Sequence, residues 1–197
     1  MFGKNRHLYF VHIPKNAGNS IRPICRKENI KVITHNIRRP NKRLLAAYRS
    51  KKNIHAFCVS RNPYDRVVSA YFYLLNNKKH KHDIADREKF IDPFDGFTDF
   101  VKNGLQQAAE NQLHFLPQVF WVRNSDGYPQ VETVLRLENF QEDLDTFCHK
   151  MGIPLKKLKV VNTSDRNKKW EEYYSVELKE TVSEIYHEDF EFFEYQK

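Results

Sequence analysis

Two short hydrophobic runs stand out in the first third of the chain. Residues 8–13 and 54–59 are nearly continuous apolar segments with one His in each, a pattern typical of strands that are buried on both faces of a parallel sheet. Residues 31–33 and 132–137 predict two further strands. Together the four segments predict a central sheet.

Helical patterns alternate with these strands. Asn62 and Pro63 mark a helix start, because Asn is a good N-cap and Pro suits the first helical position, and apolar residues at i, i+4 spacing carry this helix to about Asn76. Further helices are predicted within residues 16–26, 44–52, 93–104, 140–151 and 173–186, and the charged segment 80–92 is predicted to be irregular. The alternation predicts an α/β fold, a three-layer sandwich with a central, mainly parallel sheet flanked by helices. A chain of 197 residues is expected to form a single domain over 1–197.

Composition narrows the class of protein. A hydrophobic content of 40% and an aromatic content of 14% exclude a disordered chain. The apolar runs are far shorter than the roughly 20 residues that span a bilayer, and the start of the sequence lacks a signal-peptide pattern, so a cytoplasmic protein is expected. The three cysteines are too widely spaced for a metal or redox motif, which predicts reduced, mostly buried thiols.

The charge is unevenly distributed along the chain. The net charge is +8, yet residues 171–197 hold nine acidic and two basic residues, so the preceding body is strongly basic. A basic body favours phosphate, sulfate, nucleic acid or acidic glycan partners, although a solvated surface gives the same composition.

A first candidate anion site follows the first predicted strand. Free N–H groups at a helix start carry partial positive charge, Gly18 permits close backbone approach, Lys15 adds a full charge and Ser20 adds a donor. The Lys precedes the Gly, so the segment does not have the Walker A order and ATP is not the expected ligand. A plain strand–helix turn with a surface Lys explains the same residues equally well.

A second candidate anion site follows the strand at 54–59. Arg61 directly precedes the helix and Ser69 lies about two turns along it, so a guanidinium and a hydroxyl could hold one anion. Alternatively, Arg61 pairs with Asp65 or Asp86 and Ser69 fills a gap between helix and sheet. Because open α/β sheets bind ligands at the carboxyl ends of their strands, the two sites together suit one nucleotide with two phosphoryl-like groups.

Both segments resemble the motifs of sulfotransferases that use 3′-phosphoadenosine 5′-phosphosulfate (PAPS). Residues 15–20 resemble the 5′-phosphosulfate loop and residues 61–69 the 3′-phosphate motif, and the resemblance is closest to the carbohydrate sulfotransferases. Later blocks at 114–118, 136–140, 161–164 and 186–195 follow in the family's order. Asn19 departs from the Thr or Ser that the family usually has there.

The resemblance implies a P-loop-like fold, PAPS as cosubstrate and no metal. It also implies a carbohydrate or glycan acceptor, for which an acidic sugar is a candidate. The residues that it assigns to the nucleotide are Lys15, Asn16, Ala17, Gly18, Asn19, Ser20, Arg61 and Ser69. Segments 80–92 and 106–118 are candidates for lining the acceptor site.

The resemblance also implies catalytic roles. Lys15 would stabilise the leaving phosphate, and a His would take the proton from the acceptor hydroxyl, since His titrates near neutral pH. His35 is preferred because its position resembles that of the base in the uronyl 2-O-sulfotransferases, and His114 is its competitor. Glu138 is a third candidate, although its position suits a helix start as well.

Two other functions are compatible with parts of the pattern. A P-loop nucleotide kinase would need Mg²⁺ and an acidic ligand at a strand end, and no convincing carboxylate is found. A non-enzymatic nucleic-acid binder would use the basic body and the aromatic residues, but helix-turn-helix, zinc-finger and RNA-recognition signatures are absent from the sequence. Nucleic acid is therefore not an expected partner.

Overall fold

A computed structural model describes residues 7–33, 46–48, 50, 53–78, 80–124, 126–154 and 168–197. These residues group into two compact units. We call them the sheet unit, Met1–Arg61 with Gln118–Asn162, and the helical unit, Asn62–Pro117 with Thr163–Lys197. The single domain over 1–197 stays a prediction.

The described residues of the sheet unit form a four-stranded parallel sheet. Its strands are β1 (His7–Val11), β2 (Lys31–Ile33), β3 (Ile54–Ser60) and β4 (Thr133–Arg136), in the order β2-β1-β3-β4. The four predicted strands are confirmed, with ends that differ by at most two residues. Because β1 and β3 are neighbours and run parallel, the loops that leave their carboxyl ends start at the same edge of the sheet.

Helices account for most of the remaining described chain, and the α/β fold predicted from the sequence is confirmed. Residues 46–48 and 50 are helical, and the rest of the helix predicted over 44–52 lies outside the described residues. The α-helices are α1 (Gly18–Lys27), α2 (Pro63–Asn76), α3 (Lys81–Phe90), α4 (Gly96–Asp99), α5 (Leu105–Asn111), α6 (Val119–Val122), α7 (Phe140–Met151), α8 (Val176–Ile185) and α9 (His187–Phe192); Phe100–Gly104 forms a π-helical turn, and Leu137–Asn139 and Trp170–Tyr173 form 3₁₀ turns.

The core of the sheet unit explains why α1 and α7 form where they do. Both helices supply apolar side chains to the cluster that covers one face of β1 and β3, and the Phe57 and Phe147 rings lie 4.4 Å apart between their centroids. Each buried side chain of this size contributes about 1.5–3 kcal/mol. Gly152 ends α7 as predicted, in the left-handed conformation that an L-residue adopts at a cost.

The helical unit is organised around α2. The Asn62 side chain accepts a hydrogen bond from the Tyr64 N–H at 2.9 Å, which confirms the predicted N-cap. One side of α2 is buried in an apolar cluster with Phe100, Phe115 and Tyr186. The cap and this cluster together fix where α2 begins, two residues after Arg61 in the chain.

Two predictions of local structure are wrong. Residues 80–92 contain a helix, α3, anchored by the buried Phe90 and by Asp83, whose carboxylate receives hydrogen bonds from Tyr73 and Asn77. Such tertiary anchors leave no periodic pattern. The helical segment predicted to end at Gly104 continues to the end of α5, because Gly104 leaves room for the Phe94 ring instead of terminating the helix.

The described residues bear on two further expectations. Cys25, Cys58 and Cys148 are free and buried, as predicted. Burial raises the pKa of Cys25 to about 12 and that of Cys148 to about 11, so both thiols hold their protons near neutral pH. Within the described ranges no helix has the length and hydropathy needed to cross a membrane.

Candidate functional site

The loop between β1 and α1 is bent back on itself by two residues in left-handed backbone conformations. Lys15 has a φ of 71° and Ala17 a φ of 52°, and the Asn16 N–H bonds to the Ile13 carbonyl at 3.3 Å. Left-handed residues in a tight turn can direct neighbouring N–H groups toward an anion, so the backbone of this loop is suited to anion binding.

The first turn of α1 extends this backbone surface. The Ser20 and Ile21 N–H groups bond back to the Ala17 carbonyl at 2.9 and 3.1 Å, and the N–H groups of Gly18 and Asn19 precede the first intrahelical hydrogen bond. The positive end of the helix dipole is therefore added to the loop. Asn19 is exposed, whereas Ser20 is buried.

Gly18 is required at this helix start by its neighbour His12. A Cβ at Gly18 would overlap the His12 ring. His12 is in turn fixed by the Arg22 Nη2, which donates to its Nδ1 at 3.1 Å, so Nδ1 is the unprotonated nitrogen of the ring. Glycine is therefore needed at position 18 for the close contact between the end of β1 and the start of α1, and not for a positive φ angle.

The end of β3 contributes Arg61, which contacts the loop directly. Its Nη1 donates a hydrogen bond to the Lys15 carbonyl at 3.0 Å, and only 8% of the residue is exposed. A guanidinium has five N–H donors, so this bond uses one of them. Within the sheet unit, the two motifs that the sequence analysis singled out are therefore in contact. The alternative pairing of Arg61 with Asp65 or Asp86 stays a prediction.

Gln118, which is not among the site residues predicted from the sequence, joins the same two motifs from a third direction. Its Oε1 accepts from the Asn16 Nδ2 at 2.6 Å and from the Arg61 N–H at 3.0 Å, and its Nε2 donates to the Arg61 carbonyl at 2.9 Å. The side chain is fully buried. One signal could have identified it: a single polar residue stands between the apolar pairs Phe115–Leu116 and Val119–Phe120, next to Pro117.

Asn16 completes this network. Its Nδ2 also donates to the Val59 carbonyl at 2.8 Å, so the loop is tied to the carboxyl end of β3 as well as to Gln118. Asn16 is fully buried, so its side chain contacts neighbouring protein atoms rather than solvent. Its predicted contact with nucleotide stays a prediction.

The helical unit holds the remaining nucleotide residue predicted from the sequence. Ser69 is buried on α2, with 4% exposed. Its predicted cooperation with Arg61 stays a prediction. Arg66, in the same motif, is almost completely buried and donates to the Leu116 carbonyl at 2.8 Å, which indicates a role in packing the unit.

His114 lies in the helical unit beside a carboxylate. Its Nε2 is 3.8 Å from the Asp83 Oδ1, while Tyr73 and Asn77 each donate to the Asp83 Oδ2 at 2.7 Å. The facing imidazole, helped by the Tyr73 hydroxyl, lowers the pKa of Asp83 against the opposing effect of burial. The Nδ1 of His114 is buried, and its Nε2 faces the Asp83 carboxylate.

The family of the chain follows from a comparison with known proteins. A family model described as "Sulfotransferase family" matches residues 1–196. The chain belongs to the sulfotransferase family. Neither a curated protein nor a solved structure matches it.

Membership of the sulfotransferase family makes the protein a transferase that moves a sulfuryl group, and it favours neither the kinase nor the nucleic-acid binder considered above. No group of three or more metal-ligating side chains occurs among the residues that the structure describes. His35, the preferred base, lies outside those residues. Glu138 is located in the 3₁₀ turn after β4 and is exposed.

Proposed function

We propose that this sulfotransferase transfers the sulfuryl group of PAPS to a hydroxyl of a carbohydrate or glycan acceptor. The observation that carries the proposal is the hydrogen bond of 3.0 Å between the Arg61 Nη1 and the Lys15 carbonyl. It brings a guanidinium beside an anion-binding backbone loop, and PAPS is a ligand that carries both a phosphosulfate and a separate phosphate.

The proposed roles follow the chemistry of the two groups. The loop N–H groups and the Lys15 ammonium hold the 5′-phosphosulfate, with the residues from Asn16 to Ser20 shaping or lining this end. Arg61, with Ser69 as the resemblance assigns it, holds the 3′-phosphate, because a guanidinium matches phosphate with two parallel N–H···O bonds.

The reaction is an in-line displacement at sulfur. The acceptor oxygen forms a bond to sulfur as the bond from sulfur to the bridging phosphate oxygen breaks, and adenosine 3′,5′-bisphosphate leaves. Lys15 stabilises the negative charge that develops on the leaving phosphate. A His takes the acceptor proton, and we prefer His35, because the Nδ1 of His114 is buried and its Nε2 faces the Asp83 carboxylate.

Binding of adenosine 3′,5′-bisphosphate, measured by titration calorimetry, tests the proposal. Lys15→Ala and Arg61→Ala are each expected to weaken binding about 10- to 100-fold, since a hydrogen bond to a charged group contributes about 1.5–3 kcal/mol. Lys27→Ala and Arg26→Ala, exposed cations in the last turn of α1, are the matched controls and should bind like the wild type.

Sulfuryl transfer from radiolabelled PAPS to a panel of neutral and acidic saccharides then tests the acceptor class. The donor assignment fails if the wild type does not bind the bisphosphate nucleotide. The acceptor assignment fails if the wild type binds that nucleotide and sulfates phenols or peptides but no saccharide.

A further inference from the structure

Gln118 stands out among the buried polar residues of the sheet unit because one carboxamide contacts both anion-binding motifs. A buried amide without partners is destabilising, and an apolar side chain would fill the same space without that penalty. Here the carboxamide has three hydrogen bonds of 2.6–3.0 Å to Asn16 and Arg61. These three bonds tie Gln118 to both motifs.

The bonds to Arg61 have the pattern of a neighbouring strand. Gln118 accepts from the Arg61 N–H and donates to the Arg61 carbonyl, which is the pair of bonds that an adjacent backbone would make. This pairing fixes the peptide planes on both sides of the Arg61 Cα just beyond the last residue of β3. The direction in which the guanidinium leaves the backbone is fixed with them.

The bond to Asn16 carries this constraint to the loop. The Asn16 Nδ2 is shared between the Gln118 Oε1 and the Val59 carbonyl, and the Arg61 Nη1 returns to the Lys15 carbonyl. A closed ring of hydrogen bonds therefore runs from the loop to Gln118, to Arg61 and back to the loop. Displacing either motif breaks bonds made by the other.

We propose that Gln118 is a positioning residue that couples the two ends of the nucleotide site, so that the enzyme selects nucleotides phosphorylated at both the 3′ and the 5′ position. This inference rests on the proposed function of Lys15 and Arg61. Gln118 holds the two anion sites at a fixed separation. When one phosphate of the nucleotide is bound, the second site is therefore already positioned for the other phosphate, and each phosphate strengthens the binding of the other. Without Gln118, each end still binds an anion, but the second phosphate gains less.

Four ligands measure this coupling: adenosine, adenosine 3′-monophosphate, adenosine 5′-monophosphate and adenosine 3′,5′-bisphosphate. Gln118→Met keeps the side-chain length and removes the three hydrogen bonds. We expect its effect on the Kd of the bisphosphate to be about 10-fold larger than the product of its effects on the two monophosphates divided by its effect on adenosine, a loss within the usual range of coupling between sites. Gln196→Met, at an exposed position after α9, is the matched control and should leave all four affinities unchanged.

Gln118→Glu adds a readout that a purely structural role would not move. In its ionised form the introduced carboxylate cannot donate to the Arg61 carbonyl; in its protonated form the carboxyl has one donor and one acceptor oxygen, like the native amide. Because burial raises the pKa of a carboxyl, we expect the ratio of variant to wild-type Kd for the bisphosphate to fall as the pH is lowered from about 8 to about 5. Dividing by the wild-type value at each pH removes the titration of the nucleotide itself.

The outcomes separate the two proposals. A wild type that does not bind the bisphosphate overturns the proposed function and this inference with it. A wild type that binds, combined with a Gln118→Met variant whose loss on the bisphosphate equals the product of its losses on the two monophosphates divided by its loss on adenosine, overturns the coupling role alone. If Gln118→Met does not fold by circular dichroism, Gln118→Glu decides, and a pH-independent Kd ratio counts against the inference.

Discussion

At the scale of single residues, the site depends on contacts that leave no room for change. The His12 ring packs against the Cα of Gly18, and Arg22 donates a hydrogen bond to the Nδ1 of that ring. The loop geometry is therefore set by packing as much as by backbone preference.

Gly18→Ala should lower the free energy of unfolding by about 1–3 kcal/mol, because the added methyl must displace the His12 ring in a packed environment. Urea unfolding measures the change. Asn19→Ala, at the exposed neighbouring position, is the control and should change stability by less than about 0.5 kcal/mol.

The double variant His12→Ala with Gly18→Ala provides the decisive comparison. Removing the ring makes room for the methyl group, so the two changes together should cost less than the sum of the two single changes. Strictly additive losses would show that the overlap between the two side chains is not what destabilises Gly18→Ala.

At the scale of elements, α2 and α3 are joined by one carboxylate. Asp83 on α3 accepts from Tyr73 and Asn77, which lie on and just after α2, and it faces His114. This junction explains why a segment with few apolar residues forms a helix in the folded chain. Charge and hydrogen bonding stabilise α3 where hydrophobic periodicity does not.

The lowered pKa of Asp83 gives a signed prediction for stability against pH. A carboxyl whose pKa is lower in the folded state stabilises the fold above its unfolded pKa, ordinarily 3.8, and this contribution is lost as the pH falls further. Asp83→Asn should therefore be less stable than the wild type at pH 5, by up to about 1 kcal/mol for a solvent-screened pair, and the difference should shrink below pH 3.8.

Thermal unfolding between about pH 2 and 7 measures this trend, with the folded fraction followed by circular dichroism. Asp95→Asn, at an exposed position before α4, is the control for removing an acidic residue and should give no such pH-dependent difference. A destabilisation of Asp83→Asn that is constant across the whole range would assign its effect to hydrogen bonding alone.

At the scale of the whole molecule, positive charge is supplied by side chains and backbone dipoles. The net charge is +8, and the described part of the sheet unit places Lys15, Arg61 and the start of α1 at one strand edge. In the proposed reaction these groups stabilise the leaving phosphate without a divalent cation.

Sulfuryl transfer should therefore proceed unchanged in excess EDTA, measured with radiolabelled PAPS. Addition of Mg²⁺ should not raise kcat, and ATP should not serve as a phosphoryl donor. An activity that EDTA abolishes and Mg²⁺ restores would contradict a mechanism in which Lys15 and Arg61 carry the charge.

How much could be predicted from the sequence depends on the kind of signal each feature leaves. Strands, the start of α2 and the end of α7 follow from hydrophobic runs, an Asn-Pro pair and a Gly, all of which act locally. The Gln118 network does not leave a local signal. It joins Gln118 to Arg61, 57 positions away in the chain, and to Asn16, 102 positions away. Such polar contacts leave no periodic pattern in the sequence, and neither do the shorter-range bonds of Tyr73 and Asn77 to Asp83 that anchor α3.

The loop after β1 has one more consequence. Lys15 and Ala17 hold backbone angles that suit glycine, and for an L-residue that choice costs about 1–2 kcal/mol. This strain is present in every folded copy, whether or not a ligand is bound. Attempts to make the enzyme more heat-resistant by placing glycine at position 17 would relieve the strain, but would also free the loop to adopt shapes in which its N–H groups diverge.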